Sequence, residues 1–215
     1  MKGGLLVNTR VFVIRGDETD RKAITECAAI IKRGGVVAFP TETVYGVGAS
    51  AFDEDACLRV FAAKDRPAGK ALLCHLYSTD QAEEIAYLTD DMRKLIKAFT
   101  PGPLTVIAKK KPCIGRVVSA GGDTVGLRFP SDKNALAFLR ACGVPVAATS
   151  ANISNFPPPT DPAEVTGYLG GRIDALLDCG KTGSGVASTI ISLENGLTVL
   201  REGAVSEREI REVLK

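Results

Sequence analysis

Residues 20–48 read DRKAITECAAIIKRGGVVAFPTETVYGVG, and this stretch decides the fold class. Asp20 is placed to cap a helix running to about Lys32, with Ile24, Ala28 and Ile31 along one face. Gly34-Gly35 ends that helix. Val36 to Phe39 follows as a continuous apolar run of strand length, the pattern of a strand in a sheet covered on both faces. Helix, glycine turn and buried strand indicate α/β architecture. The next residues, Pro40 to Gly48, are rich in hydroxyls and turn formers, where an α/β protein carries a site. The plainer reading is a strand-to-helix loop whose threonines satisfy their own backbone.

The pattern continues outward in both directions. Val11 to Ile14 reads as a first strand. Downstream, helices are expected at 53–64, 79–87, 89–99, 132–142, 161–169 and 206–214, the last opened by Ser206 with Glu209 at capping-box spacing. Between them lie strand candidates at 71–76, 104–108, 125–129, 145–149, 175–177, 189–193 and 198–200. Interleaving of this kind predicts a twisted mixed sheet flanked by helices, with ligands at strand ends where loops converge. Residues 1–215 are expected to form one domain, since Pro157-Pro158-Pro159 is too short to separate two.

Composition narrows the function. A chain of 215 residues with 45% hydrophobic content needs no disulfide or metal staple. Its six cysteines are dispersed, without CxxC or a histidine at zinc-ligand spacing, so a metal framework is not expected. The N-terminus, MKGGLLVNTR, lacks the apolar core of a signal peptide, and no run approaches a membrane span, so a cytoplasmic location and no membrane are expected. A net charge of +2 is too small to make nucleic acid the principal ligand.

Local motifs carry more. Gly180-Lys181-Thr182 supplies the tail of a phosphate-binding GxxxxGK[ST] loop, but the required first glycine is Ala175 inside an apolar strand, so that reading fails. Lys64, Arg66 and Lys70 place three cations within seven residues; they either complement a helix C-terminus or neutralise phosphates. Arg128 stands alone in an apolar strand, where burial calls for an anion, either an internal carboxylate or that of a ligand. Ser150 and Asn152 end another buried strand and share a face if the strand persists. His75 is the only histidine; Ser188-Thr189 and Arg201 add a hydroxyl pair and another cation.

Taken in order, PTETVYGVG, AKDRPAGKALLCH, PGPLTV, VGLRFP, PVAATSAN, ASTII and LREGAVS resemble the YrdC family of threonylcarbamoyl-AMP synthases over nearly the whole chain. The KxR and SxN pairs typical of that family stand here as Lys64 with Arg66 and Ser150 with Asn152. The resemblance implies a single open α/β domain around a large basic cavity, in the short form without an extra C-terminal domain. It implies formation of threonylcarbamoyl-AMP and pyrophosphate from L-threonine, bicarbonate or CO2, and ATP, with Mg2+ accompanying the ATP. Lys64, Arg66, Ser150 and Asn152 are the implied catalytic group. Threonine would contact Thr43, His75, Arg128, Ser150 and Ser188; ATP would contact Lys64, Arg66, Lys70, Thr124, Asn152, Thr160 and Arg201.

A separate complex would transfer the product to tRNA, and weak binding of tRNA or double-stranded RNA is a further expectation. Asp132 and Asn155 depart from the pattern, standing where a histidine and a glycine are frequent. The alternatives are a YciO-like relative sharing the fold, and an RNA-binding module that uses the Lys109 to Lys111 cluster.

Overall fold

The run Val36 to Phe39 is buried on both sides, as its composition requires. Val36 and Ala38 belong to one hydrophobic core while Val37 and Phe39 belong to another, the alternation of a strand between two layers. The computed structural model describes residues 7–17, 19–67, 69–183 and 186–215. Residues 1–6, on which most of the signal-peptide reading rests, lie outside the described residues.

In chain order the elements are β1 (Arg10–Val13), α1 (Thr19–Lys32), β2 (Val37–Phe39), β3 (Gly46–Ser50), α2 (Glu54–Ala63), β4 (Leu73–His75), α3 (Thr79–Ile85), β5 (Ala86–Tyr87), α4 (Asp90–Phe99), β6 (Leu104–Lys110), β7 (Thr124–Arg128), α5 (Lys133–Cys142), β8 (Val146–Ser150), α6 (Pro162–Leu169), β9 (Ala175–Asp178), β10 (Thr189–Ser192), β11 (Thr198–Arg201) and α7 (Glu207–Val213). The strands form one open mixed sheet in the order β1-β9-β2-β3-β8-β4-β7-β6-β10-β11, with β5 paired to β6 outside this path. No helix among the described residues is long and apolar enough to cross a membrane.

Three readings are corrected. Asp20 lies inside the first turn of α1, and its carboxylate accepts from the backbone N–H groups of Arg15 and Gly16 at 2.8 Å, tying the preceding loop to the helix instead of capping it. The helix expected to reach residue 87 stops at Ile85, because Ala86 and Tyr87 pair with Lys110 and Lys109. The loop expected from Pro40 to Gly48 is shorter, because Gly46 to Ser50 forms the central strand β3, antiparallel to both β2 and β8. Its small residues carry no strand signature, yet they are what the packing demands. A Cβ on Gly48 would lie 2.6 Å from the Ala147 carbonyl oxygen and 2.7 Å from the Ala148 Cβ.

Helix termini follow the sequence more closely. Asp53, Ser78, Thr89, Asp132, Asp161 and Ser206 each accept a backbone N–H at the start of a helix, and Ser206 with Glu209 forms the expected capping box. Asp132 is thus the N-cap of α5. Asn155 has φ of 71°, a left-handed turn that glycine or asparagine adopts most readily, which accounts for the departure from the family pattern there.

Strand register positions the site. Residues paired across a sheet project to the same face. Val146 pairs with His75, His75 with Arg128, Arg128 with Thr105, Thr105 with Ile190, and Ile190 with Arg201, forming one transverse row over six strands. The neighbouring row, Ala147, Cys74, Leu127, Val106 and Ile191, faces the opposite side and is at most 1% exposed. Strands β4, β7, β6 and β10 therefore bury one apolar face and turn the other, polar face upward. Helices α1 and α5 pack against the β9, β2 and β8 part of that upper face, through Phe39, Val146, Ala148, Ala175 and Leu177.

Candidate functional site: an arginine-lined cavity

Beside α1 and α5, the upper face holds a cavity of about 340 Å3, toward the low end of the roughly 300–1,000 Å3 usual for small-molecule sites. Its floor is part of the transverse row, His75, Arg128, Ile190 and Arg201; its walls come from the Thr41 to Gly46 loop, from Arg66 and Ala71, and from Ser150, Pro158 and Ser188.

The Thr41 to Tyr45 loop does both things its sequence offered. The Thr41 hydroxyl donates to the Val44 carbonyl at 2.7 Å and accepts from the N–H groups of Thr43 and Val44, so Thr41 satisfies the local backbone. Thr43, hydrogen-bonded to Thr41 at 2.8 Å, lines the cavity. Tyr45 then fastens a neighbouring loop: its hydroxyl donates to the Gly180 carbonyl at 2.7 Å and accepts from Cys179 N–H at 3.1 Å. The GKT segment rejected as a phosphate loop is part of this stitching, since the Thr182 hydroxyl donates to the Thr43 carbonyl at 3.0 Å.

Three guanidinium groups reach the cavity. Arg128 is 2% exposed and ion-paired with Glu42, whose other carboxylate oxygen accepts from Ser131 N–H at 3.1 Å. The internal carboxylate weighed for Arg128 is therefore present, and Glu42 is the site residue that sequence reasoning missed. Its signal was available: a buried arginine in an apolar strand requires an acid, and Glu42 stands in the polar loop after β2. Burial pulls Arg128 below its usual pKa, against the opposing pull of Glu42. The remaining two have no carboxylate partner among the described residues. Arg66 donates to the carbonyls of Ala71 at 2.9 Å and Lys70 at 3.3 Å; Arg201 donates to the Ser188 carbonyl at 2.8 and 3.1 Å and to its hydroxyl at 3.1 Å. Each is fixed by neutral groups and keeps its charge for an anion.

His75 is buried beside Arg128, and burial together with that neighbouring cation lowers its pKa to about 3. The ring is accordingly neutral near pH 7, a hydrogen-bonding group and not a proton acceptor. It meets Phe39 edge-on, with ring centres 5.6 Å apart. Among the cysteines, burial raises the thiols of Cys27, Cys57, Cys142 and Cys179 to about 12, far from the thiolate a nucleophile needs.

All five residues expected around threonine, Thr43, His75, Arg128, Ser150 and Ser188, line this one cavity. Of the residues expected around ATP, Arg66 and Arg201 line it and five do not. Thr124 projects to the same face as Arg128 but stands at the other end of β7, four residues or about 13 Å away. Lys70 is exposed outside the lining, and Thr160 meets Glu164 through its backbone N–H at 2.8 Å. Lys64 and Asn152 are buried outside the lining. The shared face anticipated for Ser150 and Asn152 does not form, because β8 ends at Ser150 and the chain turns.

Fold and cavity together define an α/β protein with an open mixed sheet that carries three arginines at one cavity on its upper face. The chain belongs to the Sua5/YciO/YrdC family, whose model, described as telomere recombination, matches residues 29–203. It is 43% identical over 189 residues to the threonylcarbamoyl-AMP synthase of Pyrococcus abyssi, a match covering 87% of this chain and 56% of that protein. The crystal structure of Pyrococcus abyssi Sua5 complexed with L-threonine superposes with a TM-score of 0.90 at 40% identity, over 96% of this chain and 60% of that one. Escherichia coli YciO superposes with a TM-score of 0.85 at 26% identity, over 94% of this chain and 99% of that one. The chain thus spans little more than half the length of the Pyrococcus relative.

Proposed function

We propose that this protein forms threonylcarbamoyl-AMP and pyrophosphate from L-threonine, bicarbonate or CO2, and ATP, in the cytoplasm, for later transfer to tRNA by a separate complex. The observation that carries this reading is the convergence of Arg66, Arg128 and Arg201 on one cavity whose lining includes no Asp or Glu, with Glu42 ion-paired to Arg128 outside that lining. Arg128 takes the threonine carboxylate: a guanidinium presents five N–H donors, so it holds Glu42 and a second carboxylate together. Thr43, Ser150, Ser188 and the neutral His75 supply short-range hydrogen bonds to the rest of the amino acid. Arg66 and Arg201 take the phosphates, where point charge and bidentate contact matter most.

The threonine amine captures CO2 with loss of a proton, and a carbamate oxygen attacks the α-phosphorus, expelling pyrophosphate. Negative charge on the transferring group grows toward two arginines that are already in place, so catalysis rests on positioning and electrostatics. No cluster of three or more His, Cys, Asp and Glu forms a metal cage among the described residues. A Mg2+ accompanying ATP would add to Arg66 and Arg201 in neutralising phosphate charge.

A pyrophosphate-release assay tests the proposal. Release is expected only with threonine, bicarbonate and ATP all present, and equal release with either threonine or bicarbonate omitted refutes it. A YciO-like relative without the activity gives no release at all. An RNA-binding module gives ATP-independent binding that falls steeply with salt. Two lysines of the cluster behind that module already hold the backbone: Lys110 donates to the Ile114 carbonyl and Lys111 to the Glu83 carbonyl, each at 2.5 Å.

A further inference from the structure

One hydroxyl on the cavity wall has its hydrogen bonds assigned by its neighbours. Ser188 lines the cavity and is otherwise buried. Its backbone is held from both sides. The Thr189 hydroxyl donates to the Val205 carbonyl at 2.6 Å and accepts from Val205 N–H at 3.1 Å. Gly203 packs so closely that a Cβ there would lie 2.6 Å from the Ser188 carbonyl carbon and from the Thr189 nitrogen. The Ser188 Oγ accepts an N–H from Arg201 Nη2 at 3.1 Å and lies 3.0 Å from Thr105 Oγ1. Thr105 is wholly buried in β6, in the transverse row between Arg128 and Ile190. It belongs to the PGPLTV segment, to which the resemblance assigned no ligand contact.

The direction of the Thr105–Ser188 bond follows from what Thr105 has available. Its hydroxyl has no other hydrogen-bond partner among the described residues. If Thr105 only accepted, its own hydrogen would be buried without an acceptor, at a cost of about 1–3 kcal/mol. Thr105 therefore donates. A serine oxygen offers two acceptor positions. The Thr105 O–H and the Arg201 N–H fill both, and the single Ser188 hydrogen is left for the cavity.

We propose that Thr105 is a positioning residue for the reaction: by donating to Ser188 Oγ it fixes that hydroxyl as a hydrogen-bond donor to an acceptor oxygen of the bound threonine. This inference deepens the reading given under the proposed function and rests on it for the identity of the ligand. Valine at position 105 would keep the shape of the side chain and remove the donor, so Ser188 would no longer be held in one hydrogen-bonding sense. Arg201 would stay in place through its two bonds to the Ser188 carbonyl, at 2.8 and 3.1 Å.

Two measurements decide it. Calorimetry compares threonine and ATP binding by Thr105→Val and Thr105→Ser, each made with Ser188 intact and in a Ser188→Ala background. With Ser188 intact, Thr105→Val should weaken threonine about fivefold and leave ATP within about twofold, and Thr105→Ser should restore threonine binding to within about twofold of wild type. In the Ser188→Ala background Thr105→Val should add less than about twofold, because its effect passes through the missing hydroxyl. An unchanged threonine affinity with Ser188 intact, an equal loss in the Ser188→Ala background, or a matching loss for ATP refutes the proposal. The second measurement is neutron diffraction from deuterium-exchanged crystals of the free protein. The Thr105 deuterium should point at Ser188 Oγ, and a Ser188 deuterium pointing at Thr105 Oγ1 would overturn the assignment. If the wild-type protein binds neither threonine nor ATP, the functional reading fails, and the neutron map still decides the direction of the bond. It likewise decides alone where Thr105→Val does not fold.

Discussion

Replacing Glu42 by Gln removes one negative charge from beside Arg128, a guanidinium that is 2% exposed. Breaking a buried ion pair by neutralising one partner costs about 3–5 kcal/mol, because the other charge stays buried and unpaired. The lower end applies here, since the Gln carbonyl still accepts a hydrogen bond. For a chain of this length about 3 kcal/mol corresponds to a fall in melting temperature of about 6–12 °C. Threonine should then offset the loss. Its carboxylate restores an anion to Arg128 and no longer meets the Glu42 charge, so saturating threonine should raise the melting temperature of Glu42→Gln more than that of wild type, and bind it more tightly. Thermal unfolding followed by circular dichroism, with and without threonine, measures both effects. A fall below about 2 °C, or a threonine shift smaller in the variant than in wild type, would refute the assignment of Arg128 as a fork shared by an internal carboxylate and a substrate carboxylate.

Gly48→Val should destabilise the protein by about 3 kcal/mol or more, since the first added carbon would meet a backbone oxygen in a central strand; urea denaturation with an unchanged midpoint would exclude that close approach. His75 has a folded pKa near 3 against 6.5 in an unfolded chain, so the unfolded state binds more protons between those values and stability falls on acidification through that window. His75→Gln should flatten the pH dependence of unfolding between about 3 and 6.5, and an equal acid sensitivity would refute the neutral ring. In steady-state kinetics, Arg66→Ala should act mainly on ATP and Arg128→Ala mainly on threonine, each by tenfold or more in kcat/KM; matching losses for both substrates in both variants would erase the separation of roles.

The α/β class, most element positions and the short capping motifs were legible because each depends on residues within one turn or strand. Register was not. His75, Arg128 and Arg201 lie in strands far apart in the chain, and the pairing that sets them in one row is fixed by long-range packing that no local pattern records. The small strand Gly46 to Ser50 was hidden for a related reason: its residues are chosen by what two neighbouring strands leave room for, not by their own preference for extended backbone. Glu42 was visible only as the answer to a question Arg128 posed, the identity of the anion beside a buried guanidinium.

The two signature pairs show how far a spacing rule reaches. Residues two apart share a face only while the backbone stays extended. In KxR the rule does not apply, because Lys64 is the C-cap of α2 and Asp65 has a positive φ, and in SxN it ends with β8 at Ser150. In each pair one member is delivered to the ligand side and the other to the backbone beneath. The sheet gains a fixed hydroxyl and an unneutralised arginine at the cavity edge. The buried lysine and asparagine satisfy carbonyls that a tight turn would otherwise leave without donors. A change at Lys64 or Asn152 therefore first frees carbonyls of the turn after β8, whereas a change at Arg66 removes positive charge from the cavity edge directly.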